Sequence, residues 1–198
     1  MPAKRIAIIG AGPAGLMAAD VLSQYPHEVH VFEQKPSAAR KFLMAGKTGL
    51  NISHAEPFND FIQRYDRPGW LAPWIQRWDA PWIQRWMAGL GVQSYIGSSG
   101  RIFPVEMKAA PLLRAWLKRL AQQEIQFHYR HQCLNIQAGQ VQLLDLPRQT
   151  IRLFIWTSMP LFWLAAQFPG HSWAVMANGS AGWSRSRLSH FNPAMPGC

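Results

Sequence analysis

The first 33 residues contain three segments whose apolar spacing changes from that of a strand to that of a helix and back. Arg5–Ile9 is a short apolar run rich in isoleucine that ends at a glycine, which predicts a buried strand. From Leu16 to about Ser23 apolar residues continue without Gly or Pro, which predicts a helix. Glu28–Glu33 alternates as a second strand. This order of elements is typical of an α/β fold with a doubly wound core.

A short duplication lies in the middle of the chain. The heptapeptide APWIQRW occurs at residues 72–78 and again at 80–86, within a series of tryptophans spaced four residues apart. Pro73 and Pro81 predict two short helices, each with proline in its first turn, with Asp79 near the start of the second. The tryptophan spacing is typical of a stripe that faces the core or an interface. An aromatic platform for a ligand or for nucleic-acid bases is the alternative.

Two further elements follow the duplication. Residues 111–123 carry leucines on one side and basic residues largely on the other, which predicts an amphipathic helix. Residues 125–136 predict a strand, on which His128 and His131 would point to opposite faces. We therefore expect no metal site at these histidines and the nearby Cys133.

The composition argues for a folded domain and weakens the case for a nucleic-acid partner. The chain has 198 residues, of which 48% are apolar, enough to build a core. Its formal net charge is +10, which on its own would suggest binding to nucleic acid or an anionic surface. All ten acidic residues lie between Asp20 and Asp145, however, and residues 146–198 carry four arginines and no acid. The charge excess thus belongs partly to an atypical tail, and we expect no nucleic-acid partner.

The cysteines and the apolar stretches bear on the compartment. Cys133 and Cys198 are too few for a disulfide framework, and no charged segment followed by an apolar one opens the chain, so we expect a cytoplasmic protein. Residues 153–170 are uncharged and rich in Leu, Phe and Trp, but this stretch is short for a membrane span and Pro160 interrupts it. We therefore do not expect a transmembrane helix there.

The candidate chemistry lies in the turn between the first strand and the first helix. The three glycines of this turn have separate uses: one makes the turn tight, one lets the backbone approach a pyrophosphate, and one lets the helix pack close to the strand. The helix that follows presents unpaired N–H groups and its positive dipole end to the phosphates. The turn reads Gly10, Ala11, Gly12, Pro13, Ala14 and Gly15.

An acidic residue at the end of the second strand limits the choice of nucleotide. Glu33 follows Gly10 by 23 residues, where a carboxylate can accept hydrogen bonds from a ribose hydroxyl, and Gln34 lies beside it. A carboxylate there repels a 2'-phosphate, which argues against NADP at this site. It does not separate NAD from FAD. The residues alone therefore predict an adenine dinucleotide, with a Rossmann-like turn that has lost its ligand as the alternative.

Two further motifs identify a family. Residues 34–54 read QKPSAARKFLMAGKTGLNISH and residues 97–104 read GSSGRIFP. Together with the glycine turn they occur in the same order as in the YhiN-like, or BaiN-like, group of predicted bacterial FAD-dependent oxidoreductases, which this chain resembles over about residues 4–145. The resemblance implies FAD held without a covalent link, in a glutathione-reductase-like flavin fold.

The resemblance also implies roles for individual residues. The glycine turn would hold the pyrophosphate and Glu33 the adenosine ribose, with backbone near Leu134 beside the adenine. Basic residues would lie near the phosphates, and a glycine-containing loop would lie beside the flavin; these are Arg40 and Lys41, and then Gly46, Lys47, Gly49, Leu50 and Asn51. Where the family has a second glycine in this loop the chain has Thr48. Without the resemblance, Lys41 and Lys47 are equally typical of surface lysines. No catalytic acid, base or nucleophile is predicted.

After about Arg148 the resemblance stops, and the tail has the composition of an out-of-frame translation. The family continues with a segment of the form ADAVVLALGG and then GSDG. Trp and Met each have a single codon, so part of the nucleotide sequence is known and a reading frame shifted by two bases can be checked. In that frame the codons of Trp173–Ala174 and of Met176–Ala177 each give glycine, and the two codons between them can encode Ser and Asp, as in GSDG. Over residues 158–166 the same shifted frame can encode a segment of the ADAVVLALGG form. We therefore hypothesise that the tail is a frameshift product.

The sequence thus predicts an incomplete Rossmann-like FAD-binding domain at residues 1–147 and an irregular tail at 148–198. The predicted function is that of a truncated FAD-dependent oxidoreductase, weakly active or inactive in this form, with NAD(P)H as a candidate reductant and an unidentified small molecule as substrate. A non-catalytic nucleotide-binding or membrane-associated protein is the alternative, suggested by the +10 charge and the apolar 153–170 stretch.

Overall fold

A computed structural model describes residues 3–46, 48–137 and 140–155 of the chain. The chain divides into two compact units: unit 1 comprises Met1–Ala38 and Gln123–Cys198, and unit 2 comprises Ala39–Gln122. Lys47, most of the 153–170 stretch and the remainder of the predicted tail lie outside the described residues.

The described residues form short strands and helices in both units. The strands are β1 (Arg5–Ile9), β2 (Glu28–Glu33), β3 (Ser53–His54), β4 (Ser94–Ile96), β5 (Arg101–Pro104), β6 (Gln126–Tyr129), β7 (His131–Gln137), β8 (Gln140–Asp145) and β9 (Thr150–Ile155). The helices are α1 (Pro13–Leu22), α2 (Arg40–Ala45), α3 (Phe58–Ile62), α4 (Pro68–Arg77), α5 (Ala80–Gly89) and α6 (Ala109–Gln122). None of these helices is both long enough and apolar enough to cross a bilayer.

Unit 1 is built on a parallel sheet with the strand order β1-β2-β6. Ile8 of β1 lies opposite Val31 of β2, and Phe32 of β2 lies opposite His128 of β6. Parallel neighbours need a crossover connection, and α1 provides the one between β1 and β2. The predicted α/β class is confirmed, and β1 and β2 begin and end where the apolar pattern places them, whereas α1 begins three residues before the predicted Leu16, at Pro13.

An antiparallel meander of β7, β8 and β9 completes the described part of unit 1. Its buried side chains Val141, Leu143 and Phe154 pack with Phe32 of β2, so one apolar cluster joins the meander to the parallel sheet. β9 pairs with β8 from Thr150 to Ile155. Ordered structure in this unit therefore includes residues after 147, which the sequence analysis assigned to the tail.

Unit 2 consists of helices around a small antiparallel sheet in the order β3-β5-β4. Its core is formed by Leu50, Met87, Ala109 and Leu112, which come from the loop after α2, from α5 and from α6. The amphipathic helix predicted at residues 111–123 is α6, which begins two residues earlier and buries Leu112, Leu113 and Leu120.

The strand predicted at residues 125–136 is wrong as a single element. The chain breaks at Arg130, whose φ of +60° is a left-handed conformation, so β6 joins the parallel sheet and β7 joins the meander. His128 and His131 therefore do not point to opposite faces: their ring centroids are 5.9 Å apart. Among the described residues, no three His, Cys, Asp or Glu side chains come together in a way that could hold a metal ion.

The two copies of the duplicated heptapeptide have different surroundings. The second begins α5, where Asp79 caps the helix by accepting the Trp82 N–H at 2.8 Å, as predicted. The first lies inside α4, which already begins at Pro68, so the prediction that Pro73 occupies a first turn is wrong. The tryptophans of the two copies differ in burial: Trp86 of the second copy packs edge to face on Trp116 at 4.7 Å, whereas Trp74 of the first copy is 52% exposed. The expected core-facing stripe is therefore confirmed only for the second copy.

A chain of hydrogen bonds links three polar side chains in the parallel sheet of unit 1. His30 is 4% exposed; its Nε2 lies 2.8 Å from Glu28 Oε1 and its Nδ1 lies 2.9 Å from Nε2 of His128. A carboxylate only accepts, so His30 donates from Nε2 and accepts at Nδ1 from the His128 N–H. Burial, together with repulsion from His30 and His131, lowers the pKa of His128 to about 4.

This lowered pKa predicts that unit 1 loses stability on acidification. The unfolded chain protonates His128 near the ordinary value of 6.5, and the folded chain does so only near 4. Because the unfolded state binds more protons between these values, the free energy of unfolding falls as the pH is lowered from about 6.5 to about 4. We expect a loss on the order of 1–2 kcal/mol, since the ring is partly exposed.

The measurement is urea unfolding followed by circular dichroism at a series of pH values. His128→Phe keeps the ring that stacks on Phe32 at 4.6 Å and removes one titrating group, so it should reduce the pH dependence and leave the part contributed by His30, whose pKa burial also lowers. His27→Gln, at a histidine outside this chain of hydrogen bonds, is the control and should keep the slope of the unaltered chain. An unchanged slope in His128→Phe would contradict the prediction.

Candidate dinucleotide site

The turn between β1 and α1 has a geometry that requires glycine at its start. Gly10 has a φ of +98°, a left-handed conformation that glycine adopts without steric cost. Its N–H donates to the carbonyl oxygen of Phe32 at 2.7 Å, so the turn continues the pairing of β1 with β2. Gly12 is extended and precedes α1, whose first residue is Pro13. Proline suits this position because the first N–H groups of a helix have no partner within it.

Gly15 allows α1 to lie directly against the turn. A Cβ atom built on Gly15 would lie 1.9 Å from the carbonyl oxygen of Gly10, which is backbone and cannot move aside cheaply. Any other residue at this position would push the helix away from the end of β1. Gly15 therefore fixes where the first turn of α1 lies relative to the strand that precedes it.

The N-terminus of α1 suits an anion. No side chain caps this end of the helix, and its first turn contains no acidic residue. The backbone N–H groups of Ala14 and Gly15 belong to this first turn, where N–H groups lack partners within the helix and carry the positive end of its dipole. Phosphate groups bind readily at such positions.

Glu33 is tied to the glycine turn by its own carboxylate. Its Oε2 accepts the Ala11 N–H at 2.9 Å, and its Oε1 accepts the Lys35 N–H at 2.8 Å. Each oxygen has two lone pairs, so each can accept a second hydrogen bond. The carboxylate is therefore held in a fixed orientation with acceptor capacity to spare, next to the turn that would hold a pyrophosphate.

These two backbone contacts of Glu33 were not predicted from the sequence. The Lys35 contact is local, because a carboxylate easily reaches a backbone N–H two residues ahead. The Ala11 contact spans 22 residues and follows from the strand register, in which Ile9 lies opposite Phe32. Only a correct parallel pairing of β1 and β2 would reveal it.

The loop that the resemblance places beside the flavin lies in unit 2, and packing within that unit explains its first glycine. A Cβ on Gly46 would lie 2.4 Å from the Cβ of Ala109, at the start of α6. After the loop, the Leu50 N–H donates to the carbonyl of Met107 at 3.0 Å, and Leu50 is buried in the unit 2 core. Gly49 has a φ of +158°, close to extended backbone.

The other predicted site residues lie in both units. In unit 1, Gln34 directly follows β2, and Leu134 lies at a β-bulge of β7 with its side chain 42% exposed. In unit 2, Arg40 and Lys41 are exposed in the first turn of α2, and Asn51 is exposed at the end of the loop. The structure thus brings the glycine turn and Glu33 together in unit 1. The cofactor contacts assigned to the remaining residues stay predictions.

One family matches most of the chain. The family described as "HI0933-like protein Rossmann domain" matches residues 4–154. This match confirms the resemblance to YhiN-like and BaiN-like proteins, and it extends past residue 145 to the third strand of the meander. No protein of curated function matches the sequence significantly.

Solved structures share the fold at low sequence identity. THI4 from Thermovibrio ammonificans is 13% identical with a TM-score of 0.51, over 83% of this chain and 57% of its own. A 3-ketosteroid-Δ4-(5α)-dehydrogenase from Rhodococcus jostii, solved with 4-androstene-3,17-dione, is 11% identical with a TM-score of 0.55, over 76% of this chain and 43% of its own. A flavocytochrome c3 fumarate reductase is 13% identical with a TM-score of 0.55, over 76% of this chain and 32% of its own. These likenesses support a Rossmann-type fold, and the match spans 32% to 57% of the length of the three proteins.

The close approach at Gly46 predicts a rescue by a second substitution. Gly46→Ala should destabilise the chain by about 1–3 kcal/mol, because the new methyl group overlaps that of Ala109. Ala109→Gly removes the overlapping methyl group but leaves the backbone N and Cα of residue 109 at 3.1 and 3.3 Å from the new Cβ, so the double variant should recover part of the loss. The measurement is urea unfolding of both single variants and the double variant.

Gly69→Ala is the matched control, since no atom lies within 4 Å of a Cβ built there. It should leave stability unchanged or raise it by up to about 1 kcal/mol, because alanine is the better helix former. If the double variant is no more stable than Gly46→Ala alone, the contact with Ala109 is not the reason for glycine at this position.

Proposed function

Since the chain belongs to the HI0933-like family through the Rossmann domain at residues 4–154, we propose that it is the FAD-binding part of an FAD-dependent oxidoreductase. The observation that carries the proposal is the hydrogen bond from the Ala11 N–H of the glycine turn to the Glu33 carboxylate. This bond places a fixed carboxylate beside the uncapped N–H groups at the start of α1. FAD contains the two groups that this arrangement suits, a pyrophosphate and an adenosine ribose with free hydroxyls. The choice of FAD over NAD rests on the family.

The residues of unit 1 fit the adenosine half of this cofactor. The first turn of α1 would neutralise the pyrophosphate through backbone N–H groups, which need no change of conformation. The Glu33 oxygens would accept hydrogen bonds from the ribose hydroxyls while they keep their bonds to Ala11 and Lys35. Bound FAD would supply the hydride and electron transfer, and the protein would bind and orient it.

The remaining parts of the proposal rest on the resemblance. Lys47 or a backbone N–H of its loop would stabilise negative charge on the reduced flavin ring, and NAD(P)H is the candidate reductant. The substrate is a small molecule of unspecified class, the compartment is the cytoplasm, and no acid, base or nucleophile is assigned. Because the chain spans only part of the solved relatives, turnover by the chain alone is not expected.

Retention of FAD by the purified chain tests the cofactor proposal. The visible absorption spectrum is recorded before and after FAD is added and excess is washed away. Glu33→Gln should weaken FAD binding about 10- to 100-fold, because an amide offers one acceptor oxygen and turns an N–H group toward a backbone donor. Glu106→Gln, at an exposed glutamate of unit 2, is the control and should bind as the unaltered chain does.

The outcomes distinguish a site for FAD, a site for NAD and a folded chain that binds neither. A flavin band that remains in the unaltered chain and is lost in Glu33→Gln supports the proposal. A folded chain that retains no flavin but binds NAD in a titration shows that the site holds the other dinucleotide. A folded chain that binds neither would show that the turn has lost its ligand.

We also infer that the tail is an out-of-frame translation product, as the codon analysis of residues 158–177 suggests. The family match to residue 154 and the pairing of β9 to Ile155 support a shift close after this point rather than near Arg148. The nucleotide sequence over these codons is the test. Codons that spell the two family motifs two bases later support the shift, and codons that cannot do so refute it.

A further inference from the structure

A cavity of about 360 Å³ lies within unit 2, and none of the roles proposed above uses it. This volume falls in the range of small-molecule sites, which are largely apolar and contain a few polar groups that orient the ligand. Its apolar walls come from three helices and a strand, and they include Phe58, Phe61, Ile75, Pro81 and Ile96. Two phenylalanine rings on neighbouring turns of α3 therefore face a space large enough for a ring-sized ligand.

The charged residues of the lining all have the same sign. Glu56 and Asp79 line the cavity, and no lysine or arginine does, although the whole chain carries a net charge of +10. Arg64 donates to Glu56 from outside the lining, with Nη2 at 2.6 Å from Oε2, and so balances one of the two negative charges. Asp60, on the same helix as the two phenylalanines, adds negative charge near Arg64.

Asp79 supplies the lining carboxylate that can accept a hydrogen bond from a ligand. Its Oδ1 accepts the Trp82 N–H at 2.8 Å as the cap of α5, which fixes the orientation of the side chain. In the part of the chain that the structure describes, its Oδ2 has no hydrogen-bond donor. The cap thus holds one oxygen in place and leaves the other as an acceptor at the cavity.

Among the contacts that the structure describes, His54 meets Glu56, whose Oε1 lies 3.4 Å from Nδ1, and not Asp79. Its Nε2 lies 2.9 Å from the carbonyl of Ser99 and donates to it, while its Nδ1 accepts the Glu56 N–H at 3.2 Å. Both ring nitrogens are therefore used in the neutral form, with the proton on Nε2. The lining keeps an excess of one negative charge beside aromatic walls.

We propose that this cavity binds a small organic ammonium ion, with the cation against the Asp79 carboxylate and the apolar part against Phe58 and Phe61. The phenylalanine rings pack against the apolar part of the ligand, and the partly desolvated Asp79 carboxylate forms a charge-assisted hydrogen bond with its ammonium group. A neutral compound of the same shape would gain only the apolar contacts. The cavity would therefore discriminate by charge as well as by size.

The test is calorimetric titration of the full chain with benzylamine and with its neutral analogue, benzyl alcohol. For ligands of this size we expect dissociation constants in the millimolar to sub-millimolar range, with benzylamine binding about five- to tenfold more tightly. Asp79→Asn removes the charge and keeps a good helix cap, so it should abolish this preference without unfolding α5. Asp66→Asn, at an exposed aspartate that does not line the cavity, is the matched charge control and should retain the preference.

A second variant tests the position of the ligand. Ala80 lines the cavity at the start of α5, and Ala80→Leu should fill part of the space and weaken both compounds at least severalfold. Circular dichroism establishes that each variant is folded. The proposal is overturned if the folded chain shows no saturable binding of benzylamine. It is also overturned if the preference for benzylamine survives in Asp79→Asn, or if Ala80→Leu binds both compounds unchanged.

Discussion

The contact between the end of β2 and the turn after β1 is the constraint on which the candidate site depends. The Gly10 N–H bonds to Phe32, and the Ala11 N–H bonds to Glu33, so two successive residues of the turn are fixed to two successive residues of the strand. Gly15 then lets α1 start directly above this join. The helix N-terminus and the acidic side chain are consequently placed by the same few bonds, and neither could move without the other.

The parts of the fold that the sequence predicts are those whose causes are local. β1, α1 and β2 follow from apolar spacing and from the glycines between them, and the cap of α5 follows from Asp79 before Ala-Pro. In each case the residues that decide the structure lie within a few positions of one another. The predicted turn and Glu33 were found from a longer spacing, because an acidic residue about 20 residues after the glycine turn is characteristic of a dinucleotide-binding unit.

The predictions that failed depend on contacts between distant parts of the chain. Nothing local marks Arg130 as a break, because it results from β6 and β7 joining different sheets. The duplicated heptapeptide is the clearest case: identical residues form helix twice, but only the last tryptophan of the second copy, Trp86, packs on Trp116, whereas Trp74 and Trp78 of the first copy stay exposed. Apolar spacing therefore determined which face each helix could bury, and the rest of the chain determined whether that face was buried.

The proposed FAD site also has two parts that differ in their support, the residues assigned to the adenosine and those assigned to the flavin. For the adenosine half, the structure supplies a reason in unit 1 for Gly10, Gly15 and Glu33, through the φ of Gly10, the close approach at Gly15 and the bonds of Glu33. For the flavin half, the contact of Gly46 with Ala109 shows that packing inside unit 2 already requires a glycine there. A family motif can thus be retained because the fold needs it, so its presence alone does not indicate contact with the flavin. The proposal for the glycine turn and Glu33 therefore has support from geometry, whereas the proposal for the flavin half rests on membership of the family.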